Sequence, residues 1–139
     1  AAHPVPEKPG ASALLEFLKR AQVPIGLATS TKYASARRKL EQSGLRSYFD
    51  TVVGGDQVKQ GKPDPEPYLT VSRLLGIRPD RCLALEDSDN GVLSAHGAGM
   101  MVIQIPDLKP PSRTVRDLGH PVLSSLAEVQ SLLGETNPT

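Results

Sequence analysis

Short apolar segments alternate along this chain with segments of helical periodicity, and a polar or glycine-rich loop directly follows each of the first three apolar segments. Strands that alternate with helices are joined by crossover connections, which build a parallel sheet with helices on both faces. The predicted fold class is therefore α/β. Ligands of such sheets collect beyond the carboxyl ends of the strands, so these three loops are where chemistry is expected.

The elements follow in order. Ala11 to Ala21 places Leu14, Leu15, Leu18 and Ala21 near helical spacing and stops before Val23 and Pro24, predicting an amphipathic helix. Ile25 to Ala28 is a short apolar strand running into Thr29, Ser30 and Thr31, and helical periodicity resumes from Tyr33 to Ser43 until Gly44. Thr51 to Val53 is β-branched and ends at Gly54-Gly55. A loop rich in glycine and proline then leads into a helix from Glu66 to Leu75, closed by Gly76. Cys82 to Leu85 forms a third strand, Asp87 or Ser88 caps the next helix, and Met100 to Ile105 forms a fourth strand. Beyond it, IPDLKPPS reads as a loop with Asp107 a loop residue, Pro121 to Leu123 as a short edge strand, and Ser125 to Leu133 as a helix begun by a serine cap.

At 139 residues and 14.8 kDa the chain fits one domain with a single core, expected over residues 10–134, with a frayed tail at 135–139. Lys and Arg number 16 against 15 Asp and Glu, a balance that points neither to nucleic acid nor to an anionic membrane surface. The sequence shows neither a spanning helix nor a secretory leader, and the expectation is a soluble, cytoplasmic protein. The single cysteine, Cys82, has no partner for an internal disulfide and reads as a small buried hydrophobe.

Three strand ends carry the candidate site. Thr29, Ser30 and Thr31 put hydroxyls at a helix start, where backbone N–H groups favour an anion; capping the helix is the alternative role. Lys62 stands between Gly61 and Pro63, which restrict the backbone on either side, so it is either a positioned cation for phosphate and carboxylate charge or a solvated loop lysine. Asp64 reads as a cap for the following helix. Glu86 and Asp87 are adjacent acids where a strand meets a helix. Two such carboxylates repel unless a cation joins them, and Mg²⁺ prefers hard oxygen ligands completed by waters and phosphate; N-capping is the alternative.

Together, and in that order, the TST-K, GKPDP and EDSDNG segments resemble the second, third and fourth motifs of the haloacid dehalogenase superfamily, most closely its phosphatase and β-phosphoglucomutase-like branch. The resemblance runs from about Pro9 to Gly134 and includes FDTVVGGD and AHGAGM. It implies a Rossmann-like core, a small phosphorylated metabolite as substrate and Mg²⁺ as cofactor. It further implies that Thr29 orients the phosphoryl group with Ser30 and Thr31 beside it, and that Lys62 balances negative charge. Glu86 and Asp87 would serve the metal, Asp87 the more directly, and Ser88 and Asn90 would supply supporting hydrogen bonds. His96 is expected only to pack or to face solvent.

Members of that superfamily begin with a strand ending in Asp-x-Asp, whose first aspartate attacks phosphorus. No such strand precedes Thr29, and residues 1–9 resemble a linker returning from a cap domain. The expectation is a Mg²⁺-dependent phosphatase in the parent protein and an inactive chain on its own. The alternatives are a sugar phosphomutase and a non-catalytic module that binds phosphate or a protein. The resemblance also places the absent strand between those ending at Thr29 and Glu86. Their exposed edges would then invite dimerisation.

Overall fold

The computed structural model describes residue 6 and residues 8–106 and 110–134. Asp107, most of the expected linker and the expected tail lie outside the described residues. The described elements are α1 (Ala11–Arg20), β1 (Gly26–Ala28), α2 (Tyr33–Gln42), β2 (Thr51–Val53), α3 (Glu66–Leu75), β3 (Leu83–Glu86), α4 (Asp89–Gly97), β4 (Met101–Gln104), α5 (Arg113–Arg116) and α6 (Leu126–Leu132).

Several local signals operate as expected. Helix α1 buries Ala11, Leu14 and Leu15 on one stripe and carries Lys19 and Arg20 in its last turn, where cations suit the negative end of the helix dipole. Gly76, at φ 69°, closes α3 in the left-handed region that costs a glycine nothing. Between the two candidates for capping α4, Ser88 is the cap, accepting from the Gly91 N–H at 3.1 Å. Asp64 accepts from the Glu66 N–H at 2.9 Å at the start of α3. Ser125 caps α6 by accepting from the Glu128 N–H.

Pairing is parallel throughout the described residues. Strand β1 pairs with β2 in the register Gly26 to Thr51, and β3 with β4 in the register Leu83 to Met101. The expected edge strand at Pro121 to Leu123 contributes one parallel bridge, Gln104 to Val122. Helix α5 and the 3₁₀ turns at Arg46–Tyr48, Gly55–Gln57 and Pro79–Arg81 were not anticipated, because each is too short to show a period.

The strands form two two-stranded sheets, β1-β2 and β3-β4, rather than one. On the side of α3 and α4 they share a continuous core, in which Ala28, Val53, Ala84 and Val102 of the four strands meet Tyr68, Val71, Val92 and Ala95. The remaining core is divided. Leu15, Ala36, Leu40 and Phe49 pack with Val52 of β2, whereas Leu14, Leu126 and Val129 pack with Ile103 of β4. Among the described residues only α1 contributes to both groups, through Ala11 and Leu14 on one side and the adjacent Leu15 on the other.

Candidate active site

A cleft of about 890 Å³ runs between the half-sheets. Its walls include Leu27 and Ala28 of β1, Leu83 and Leu85 of β3, Leu14 of α1 and Val71 of α3. The facing edges of β1 and β3 carry no partner strand among the described residues. All eight residues singled out in the sequence line this one cleft: Thr29, Ser30, Thr31, Lys62, Glu86, Asp87, Ser88 and Asn90. They gather at the carboxyl ends of β1 and β3 because they end the strand, lie in the loop or first helical turn after it or, as Lys62 does, reach across from the loop before α3.

The loop after β1 is held from three directions. The Thr29 N–H donates to Val53 O at 3.0 Å, continuing the parallel ladder, and the Gly55 N–H donates to Thr31 O at 2.8 Å. Asp56 accepts from the Tyr33 N–H at 2.8 Å and so caps α2 from another segment. A Cβ on Gly55 would lie 2.3 Å from Ser30 O, so the close approach of these two backbones requires glycine there. The Thr29 hydroxyl accepts from the Thr31 N–H at 3.2 Å, which leaves its own O–H to donate into the cleft.

Lys62 bridges the half-sheets. Its ammonium donates to Ala28 O at 3.0 Å, at the end of β1, and to the Glu86 carboxylate at the end of β3. The pair is largely withdrawn from water, the side chains being 14% and 5% exposed. Buried charges of this kind need full pairing, and Tyr68 completes it by donating its hydroxyl to the same Glu86 oxygen. Burial, with the Glu86 charge beside it, pushes the Tyr68 hydroxyl well above the usual phenol range and keeps it a donor. The Lys62 ammonium also lies 5.2 Å from the centre of the Tyr68 ring.

Glu86 rests on the first turn of α4, where a Cβ on Gly91 would fall 1.8 Å from its Oε1. Gly91 in EDSDNG is thus a space requirement. Tyr68 and Gly91 are the contributors that sequence reasoning left unassigned; the glycine within the motif was the available signal, whereas Tyr68 looked like an ordinary core residue of α3. His96 is exposed on α4, as expected. Cys82 is only partly buried, and its desolvation pushes the thiol up.

The acids are not equivalent. Glu86 is engaged by Lys62 and Tyr68, whereas Asp87 is half-buried and lines the cleft. Among the described residues, no group of three or more His, Cys, Asp or Glu could hold a metal ion. The donor set fits an ion that keeps several waters and takes one or two protein carboxylates, which is the habit of Mg²⁺. No helix among the described residues is long and apolar enough to cross a membrane.

The sequence has clear relatives. It is 46% identical over 94 residues to a phosphorylated carbohydrates phosphatase of Thermotoga maritima, a match covering 68% of this chain and 44% of that protein. It is 40% identical over 97 residues to hexitol phosphatase A of Escherichia coli, covering 70% and 44%. The chain thus spans about half the length of the curated relatives it matches. The fold superposes on CbbY from Rhodobacter sphaeroides in complex with phosphate with a TM-score of 0.77 at 34% identity, covering 88% of this chain and 55% of that one. The model of the haloacid dehalogenase-like hydrolases matches residues 1–99. With the strand order, the cleft and these matches in agreement, the chain belongs to the haloacid dehalogenase-like hydrolase family.

Proposed function

We propose that these residues form the phosphate- and metal-facing part of a phosphatase that hydrolyses phosphate monoesters of small metabolites, with its nucleophilic aspartate supplied by a segment outside residues 1–139. The observation that carries this reading is the convergence of Thr29, Lys62, Glu86 and Asp87 on the polar end of one cleft whose body is flanked by two strand edges without a partner among the described residues. A strand seated between β1 and β3 would pair with both and deliver its last residues beside Lys62.

Each side chain then has a task. The Thr29 O–H and the neighbouring Ser30 and Thr31 hydroxyls orient the phosphoryl oxygens. The Lys62 ammonium, fixed by Ala28 O and Glu86, offsets the charge of nucleophile and phosphate. Glu86 serves the site by holding Lys62, while Asp87 provides the carboxylate for Mg²⁺, with Ser88 and Asn90 supporting that loop. When bound, Mg²⁺ would neutralise developing charge on the phosphoryl oxygens. The aspartate attacks phosphorus, the alcohol leaves, and water hydrolyses the aspartyl-phosphate.

The experiment compares this chain with one extended to include an apolar strand ending in Asp-x-Asp, both assayed for phosphate release from a panel of sugar and nucleotide monophosphates with Mg²⁺. Release by the extended chain alone is expected. An extended chain that is folded yet releases no phosphate from any substrate refutes the hydrolase reading. Isomerised sugar phosphate in place of free phosphate would identify a phosphomutase. Light scattering on the short chain tests the second use of the open edges, pairing with another copy.

A further inference from the structure

The polar core of the β3-β4 half-sheet contains a residue that neither the motifs nor the cleft accounts for. Gln104, the last residue of β4, is 1% exposed. A buried amide is costly unless both its ends are paired, and both are. Its Nε2 donates to Asp89 Oδ1 at 3.3 Å, and its Oε1 lies 2.8 Å from His120 Nε2. The orientation follows from the partners. The carboxylate only accepts, so the amide nitrogen faces Asp89, the amide oxygen faces the histidine, and His120 Nε2 carries a proton. The buried His120 Nδ1 has no hydrogen-bond partner, so a proton placed there would be unsatisfied.

The main chain of Gln104 is equally committed. It pairs in register with Glu86, its N–H donates to Pro121 O at 3.0 Å, and its carbonyl accepts from the Leu123 N–H at 2.9 Å. Asp89, the first residue of α4, accepts through its second oxygen from the Ser112 N–H at 3.1 Å. Asp89 is also the one residue of the segment Glu86 to Asn90 that does not line the cleft. Its carboxylate is drawn to the Gln104 and Ser112 side, while Asp87, Ser88 and Asn90 border the cleft.

We infer that Gln104, steadied by His120, is a positioning residue: by holding Asp89 away from the cleft it sets the rotation of the first turn of α4 and thereby presents Asp87 to the cleft. The consequence for metal binding rests on the proposed role of Asp87; the orientation itself does not. With the Gln104 amide removed, Asp89 loses one of its anchors and two carboxylates compete for the same space, so the acidic loop becomes heterogeneous.

The test uses the 139-residue chain and the variants Gln104→Leu and Asp89→Ala, the second removing the same bond at a partly exposed position in case the first does not fold. In metal-free NMR spectra, wild-type His120 should show the Nε2–H tautomer. Folded Gln104→Leu should shift the amide signals of Asp87 to Gly91, and folded Asp89→Ala should shift the Gln104 side-chain amide signals, both leaving those of Thr29 to Thr31 in place. Signals of Asp87 to Gly91 that overlay on wild type in folded Gln104→Leu, or Gln104 side-chain amide signals unmoved in folded Asp89→Ala, overturn the inference, as does an Nδ1–H tautomer of His120. Titration with Mn²⁺ then reads the consequence, with affinity in Gln104→Leu expected to fall about tenfold or more. Wild-type protein that binds no Mn²⁺ counts against the proposed metal role of Asp87, and the metal-free spectra still decide the role of Gln104.

Discussion

Lys62 donates to the main-chain oxygen of Ala28 at 3.0 Å, so the end of β1 is tied to a side chain whose other partner, Glu86, ends β3. No strand joins these two ends among the described residues, and Lys62 links them through its hydrogen bond to Ala28 O and its ion pair with Glu86. Replacing Lys62 with Met leaves the buried Glu86 charge with only the Tyr68 hydroxyl. The variant should lose about 3–5 kcal/mol in urea denaturation. Equal unfolding midpoints for variant and wild type would show that the pair holds nothing together.

Gly91→Ala places a methyl group where the Glu86 carboxylate lies. Glu86 must move, and with it Lys62. Overpacking of this kind costs about 1–3 kcal/mol. The cost should shrink when Glu86 is also truncated to Ala, since the clash is then gone, and a double-mutant cycle measures that coupling. Strict additivity would place the effect of Gly91 elsewhere.

Asp56→Ala removes the acceptor that caps α2 from a neighbouring segment. A loss of about 1 kcal/mol is expected, with Asp56→Asn retaining most of the stability. Faster hydrogen exchange at Tyr33, the amide that Asp56 accepts from, checks the local origin of the effect.

The pH dependence has a defined sign. Burial, with His96 nearby, lowers His120 below its usual value of 6.5, outweighing the opposite pull of Asp89. The unfolded chain therefore binds the proton more readily just below pH 6.5, and stability falls as pH drops through that window to the lowered native value. Carboxylates that the fold makes more acidic act further down. Glu66, which accepts from the Lys59 and Gln60 N–H groups, contributes stability that is present above 4.5 and lost as pH falls below it. Urea midpoints at pH 7.5 and 5.5 should differ for wild type and differ less for His120→Gln.

Much of this was legible from short-range signals. The period from Ala11 to Ala21, the glycine after Leu75 and the β-branched run at Thr51 to Val53 each specify an element locally, and the loops after β1 and β3 announced their residues by type. What the sequence concealed depends on contacts distant along the chain. Tyr68 reaches Glu86 across 18 residues, and Gln104 joins Asp89 to His120 across spans of 15 and 16, with no local pattern to mark either. Helix α5 was missed because four residues cannot display a helical period. The split of the sheet was expected only through the family resemblance, since strands of three and four residues do not reveal their neighbours.

The adjacent leucines of α1 serve two different core groups, which carries an expectation about the order of assembly. Leu15 docks on a group completed by Val52, but Leu14 waits for Ile103, Leu126 and Val129, a hundred residues or so along the chain. The helix nearest the start of the described chain is therefore expected to be among the last to finish docking, because the loop that Leu14 must close is long. Folding followed by stopped-flow kinetics should accordingly find Leu14→Ala acting mainly on the unfolding rate, as expected of a latch that closes after the rate-limiting step.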